Sequence, residues 1–96
     1  MVRVSVLYPQ GGKFDFDYYV KKHMKLVHKL LDPCGLVKTE VDKGDRTAPF
    51  IAMGHLIFNS MEEMQKALQA HDAELSADLG NFTNIQPQFQ ISEIVG

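Results

Sequence analysis

Two consecutive segments decide the fold: Val2-Arg3-Val4-Ser5-Val6-Leu7-Tyr8-Pro9, and Phe16-Asp17-Tyr18-Tyr19-Val20-Lys21-Lys22-His23-Met24-Lys25-Leu26-Val27-His28-Lys29-Leu30-Leu31. In the first, Val2, Val4 and Val6 alternate with Arg3, Ser5 and Leu7, the period of a strand, and Pro9 with Gly11-Gly12 ends it. In the second, Phe16, Val20, Met24, Val27, Leu30 and Leu31 recur at spacings of three and four, which is one face of an amphipathic helix over 15–31. Asp15 and Asp17 favour its start through the macrodipole, and Asp32-Pro33 with Gly35 favours its end.

The rest of the chain obeys the same logic. Leu36 to Asp42 alternates as a second strand, a polar loop runs from Lys43 to Pro49, and Phe50 to Phe58 is a third strand. Ser60 stands three residues before Glu63, a capping box that opens a second helix carrying Met61, Met64, Ala67, Leu68 and His71. A further short helical piece is expected from about Ala73 to Leu79, then punctuation at Gly80 to Asn84 and a last strand from Pro87 to Val95. The order β-α-β-β-α-β predicts a single α+β domain over 1–96. Its fold is ferredoxin-like: a four-stranded antiparallel sheet with both helices on one face.

Alternation then divides the sheet. With Val2, Val4, Val6, Ala52, Leu56, Phe58, Phe89 and Ile91 turned to the helices, the other face carries Leu7, Ile51, Met53, Ile57 and Ile94, mixed with Ser5, His55, Gln88, Gln90 and Ser92. An open apolar patch of this kind is the mark of an interface. Two copies are therefore expected to pack sheet against sheet as a homodimeric α/β barrel.

Composition narrows the function. Ten Lys and Arg against twelve Asp and Glu leave a charge of −2, which gives no electrostatic footprint for nucleic acid or an anionic membrane. The third strand offers Ile51, Met53, His55 and Ile57 to the free face, without the stacking aromatics of an RNA-recognition domain. Cys34 is the single cysteine, so no internal disulfide forms, and a cytoplasmic location is expected. No stretch approaches the ~20 apolar residues of a membrane span, and the Arg3-containing start lacks the apolar run of a signal peptide. There is no G-x-G-x-x-G, P-loop, H-E-x-x-H or G-x-S-x-G, so no nucleotide cofactor, zincin metal or nucleophile elbow is expected. His28 lies roughly 140° around the helix from His23, so the pair cannot chelate one ion.

His23 is the sharpest candidate. It falls in the apolar stripe with Phe16, Val20, Val27 and Leu30, while Lys21, Lys22, Lys25 and Lys29 lie opposite, so its imidazole is aimed at the sheet. There it is either a core histidine satisfied by a carbonyl or a tyrosine, or a general acid, base or polar anchor for a ligand. Tyr19, one turn earlier, offers an orienting hydroxyl, and Tyr8 and Tyr18 offer further phenols. Met24 and Val27 supply adaptable apolar wall, and His71 and Phe82 are further candidates for contact with a ligand.

The motifs F-D-Y-Y-V at Phe16 to Val20, H-M-K-L-V at His23 to Val27, a Gly35 turn, and N-F-T-N-I-Q-P at Asn81 to Pro87 followed by Q-I-S-E-I-V resemble the EthD-type family, named for ethyl tert-butyl ether degradation. Lys25 stands where the family commonly has proline. The resemblance implies a dimeric α/β barrel whose relatives include cofactor-free monooxygenases, haem-degrading enzymes, polyketide cyclases and lactone isomerases. It raises His23 as the proton-transfer group, acting on a small apolar or aromatic molecule held between the first helix and the sheet. The alternative is a carrier that delivers the same molecule to a partner oxygenase.

Overall fold

A computed structural model describes residues 1–96. The elements are β1 (Val2–Pro9), α1 (Phe16–Tyr18), a π-helical turn (Tyr19–His23), α2 (Met24–Leu31), β2 (Leu36–Lys43), β3 (Phe50–Phe58), α3 (Met61–Ala77) and β4 (Gln88–Glu93), with short 3-10 turns at Asp32–Cys34 and Leu79–Asn81. The strands order as β2-β3-β1-β4, and every pair is antiparallel. This is the expected α+β ferredoxin-like domain. No helix is long and apolar enough to cross a membrane.

Local chemistry sets the helix ends. Asp15 caps α1 by accepting the Tyr18 N–H at 3.1 Å, and Ser60 caps α3 by accepting the Glu63 N–H at 3.2 Å. Gly35 takes φ 102°, the left-handed conformation that stops the first helical unit. The helical piece expected from about Ala73 continues the second helix, and α3 runs unbroken to Ala77. The last strand is shorter than 87–95 and ends at Glu93.

The π turn corrects the helical wheel. Its Met24 N–H bonds the Tyr19 carbonyl five residues back rather than four, which widens one turn and rotates the chain before it. Tyr19 therefore goes inward, 1% exposed, and Val20, expected on the buried stripe, is 51% exposed. His23 keeps its inward direction.

Register fixes the sheet faces. On the helix side Val4 stands between Leu56 and Ile91, Val6 between Gly54 and Phe89, and Tyr8 beside Ala52. The core forms there, from Val4, Tyr8, Ala52 and Leu56 with Tyr19, Val27, Leu31, Met64, Ala67 and Phe82. On the other face Ser5 Oγ and His55 Nδ1 lie 2.9 Å apart, and His55 Nε2 reaches Asp42 at 2.8 Å. Leu7, Ile51, Met53 and Ile94 are half-buried on this chain alone. Ile57, expected as open surface, is 1% exposed; its register partners are Arg3 and Lys38, long residues with apolar stems.

Candidate functional site

Helices cover β1 and β3 but not β4, and this unequal cover makes the site. Phe89 and Ile91 face the helix side as expected yet are 65% and 51% exposed. Between them and the helices opens a cavity of about 350 Å³, within the range of small-molecule sites. Its floor is Val4, Val6, Tyr8, Gly54, Leu56, Phe89 and Ile91; the first helical unit adds Tyr19, His23, Met24 and Val27, and the α3 side adds Leu68, Asp72, Leu75, Ser76 and Leu79.

His23 is brought to this cavity by a long-range fastening. Thr83 Oγ1 donates to the Lys13 carbonyl at 2.6 Å, and the Asp15 N–H donates to the Phe82 carbonyl at 2.8 Å, so the segment after α3 lies along the start of α1. Asp78, at the C-terminal cap of α3, thereby meets His23: Oδ2 lies 2.8 Å from Nδ1. The other carboxylate oxygen accepts from the Tyr18 hydroxyl at 2.7 Å and from Asn81 Nδ2 at 2.8 Å.

Burial opposes the charge on Asp78, but the hydrogen bonds from Asn81, Tyr18 and His23 outweigh it and hold the carboxyl below its ordinary range. Asp78 is thus ionised at neutral pH and acts as the acceptor, so His23 Nδ1 is the donor of this hydrogen bond. Nε2 makes no hydrogen bond within the chain, and the residue lines the cavity. The ring is fixed between aromatic neighbours: Tyr19 stacks on it at 5.4 Å and 13°, and Phe82 lies 4.7 Å away.

The tyrosines are donors rather than bases. Burial pushes Tyr8 up to about 12 and raises Tyr19 further, with the nearby Tyr8 hydroxyl adding to the effect. Tyr18 is raised by its hydrogen bond to Asp78. Gly54 is what lets Tyr19 in: a Cβ at that position would collide with the Tyr19 hydroxyl.

The expected residues thus sort by place. His23, Tyr19, Tyr8, Met24 and Val27 line one cavity. Phe82 supports the His23 ring from behind and is not among the lining residues. His71 does not border the cavity; its Nδ1 pairs with Glu74 at 3.0 Å. His28 is engaged at both nitrogens, by Asp32 and Thr39, each at 2.9 Å. Asp78 is the residue sequence reasoning missed. An acidic side chain at a helix C-terminus opposes the macrodipole, and that misfit was the signal that it has another use.

A ferredoxin-like domain with a largely apolar cavity between its helices and sheet, and an Asp-oriented histidine in the wall, is the class that fold and site define. The chain belongs to the EthD family, whose EthD domain model matches residues 12–86. An EthD-like protein from Ralstonia eutropha JMP134 is 36% identical, with a TM-score of 0.86 over 99% of this chain and 92% of that one. An ethyl tert-butyl ether degradation (EthD) family protein from Bacillus halodurans C-125 is 23% identical, with a TM-score of 0.69 over 99% of each chain. A dimeric ferredoxin-like protein from an uncultured marine organism shares the fold at 16% identity and a TM-score of 0.61, over 100% of this chain and 96% of that one. No curated protein matches the chain.

Proposed function

We propose that this protein acts in small-molecule catabolism by binding a small apolar or aromatic molecule in the cavity and moving a proton at it through His23 Nε2. What carries this reading is the pairing of Nδ1 with Asp78 and the freedom of Nε2 at the cavity wall. The Asp78 carboxylate would stabilise the imidazolium that forms when Nε2 takes a proton from an acidic C–H or O–H. Tyr19, kept as a phenol, would orient the acceptor oxygen of the molecule. Proton transfer of this kind serves an isomerisation, or the deprotonation that precedes oxidation.

Two copies would associate through the uncovered sheet face. Its half-buried Leu7, Ile51, Met53 and Ile94 favour this, as does Arg3 Nε, buried with no hydrogen-bond partner in a single chain. The dimeric relative of the same fold agrees with it.

The test is native mass spectrometry of the protein purified without denaturation, followed by turnover assays of the co-purified molecule with the wild type and His23→Asn. A bound apolar or aromatic compound consumed by the wild type and not by the variant supports the proposal. A compound that stays bound and unchanged favours the carrier that feeds a partner oxygenase.

A further inference from the structure

The cavity is electrostatically one-sided. No Lys or Arg is among its 16 lining residues, and Asp72 is their only carboxylate. Asp72 lies on α3 between Leu68 and Leu75, which line the cavity at helical spacing with Ser76, and Leu79 adds to the same side just beyond the helix. The other acidic residues of α3 each have a side-chain partner: Glu62 pairs with Lys66 at 3.1 Å, Glu74 with His71 at 3.0 Å, and Glu63 accepts from the Ser60 hydroxyl at 3.3 Å. Asp72 has no ion pair or side-chain hydrogen bond within the chain, and its neighbours one turn away, Leu68 and Ser76, offer it no cation. It is exposed, as are Ser76, Phe89 and Ile91, so the open end of the cavity runs between α3 and β4 with Asp72 on one bank and the Phe89 ring on the other.

Asp72 of α3 stands six positions before its cap Asp78, which holds His23, a rise of about 9 Å. Resting on the reading of the cavity as a ligand site, we infer that its ligand is an elongated apolar or aromatic molecule with a protonated amine at the outer end. The His23 end receives the reacting atoms. Asp72 anchors the ammonium, and Phe89 offers it an aromatic face. The same field turns away carboxylates and phosphate esters, which would meet Asp72 with no Lys or Arg in the lining to compensate.

Three probes of one shape test this: 4-phenylbutylamine, 4-phenylbutan-1-ol and 4-phenylbutyrate, titrated into the protein and followed by amide and methionine methyl NMR shifts. The amine should bind about two- to fivefold more tightly than the alcohol at low salt, as for a partly exposed ion pair, and the carboxylate least well. Asp72→Asn should erase the amine preference while the alcohol still binds, and about 1 M salt should shrink it in the wild type. Equal binding of amine and alcohol in the wild type, or an amine preference that survives Asp72→Asn, overturns the inference and leaves the cavity reading standing. Failure of all three probes to shift any cavity resonance overturns both.

Discussion

His23 Nδ1 and Asp78 Oδ2 lie 2.8 Å apart although 55 positions separate them in the chain. The contact joins the middle of the first helical unit to the last residue of α3's cap, so it forms only when both helices are seated on the sheet. It also leaves Nε2 as the ring nitrogen without a hydrogen bond in the chain.

His23→Asn should leave the fold largely intact, because the amide replaces one hydrogen bond at similar size. Turnover of the co-purified molecule should fall by about 10² to 10⁴, the loss typical of removed acid–base assistance. A melting temperature lowered by many degrees with normal turnover per folded molecule would make His23 a structural residue.

Asp78→Asn should lower turnover through His23 and also change the acid limb of stability. The native pKa of Asp78 is depressed by its hydrogen bonds, so its stabilisation is present above the unfolded value of about 3.9 and is lost as pH falls below it. Thermal melts of wild type and variant should differ at pH 6 and converge towards pH 2. A constant gap across that range would show that the carboxylate's charge contributes nothing.

Gly54→Ala should destabilise by about 1–3 kcal/mol, the usual cost of overpacking, because the new methyl meets the Tyr19 hydroxyl. Adding Tyr19→Phe should return part of that loss. Denaturant unfolding of the two single variants and the double variant measures the coupling; strict additivity would mean that the two groups do not collide.

Met53→Asp tests the sheet-face dimer better than Ile57→Asp. Ile57 is 1% exposed within one chain, so an aspartate there would bury a charge and unfold the protomer itself. Met53 is only half-buried. Sedimentation at micromolar concentration should give a dimer for the wild type, with the ~1,200 Å² or more of a stable interface, and a folded monomer for Met53→Asp. A wild-type monomer at that concentration would end the dimer proposal.

Val20→Lys reads the π turn directly. With Val20 at 51% exposure, the change should move stability by no more than about 0.5 kcal/mol. In a regular helix with Val20 packed on the sheet, the same change would cost several times as much, and the midpoint of urea unfolding would report it.

Much of the fold was readable from pattern. Alternation in β1 and β3 gave the sheet faces, and Ser60 with Glu63 marked the start of α3 to the residue. The stripe brought His23 inward for a reason that survives the π turn, since His23 is its last residue and stands four positions before Val27 of α2. Val20 was misplaced because a wheel of constant 100° steps has no means of registering one extra residue in a turn. The exposure of Phe89 and Ile91 was hidden for another reason: alternation tells which face a strand residue takes, not whether a helix reaches far enough to cover it. The partner of Asp78 lay beyond sequence reasoning because it is fixed by the Lys13–Asp15 and Phe82–Thr83 fastening, a contact without periodicity.

The wide turn at Tyr19–His23 also bears on how relatives of this chain differ in length. A π turn is a helix that has absorbed one residue without passing the shift on to the turns beyond it. Removing Val20 would put Tyr19 three positions before the histidine, still on the same side of an ordinary α-helix, with α2 keeping its seat on the sheet. A one-residue gap at this place in a family alignment is therefore structurally quiet. The same gap inside Met24–Leu31 would turn Met24 and Val27 about 100° out of register with the rest of the buried side.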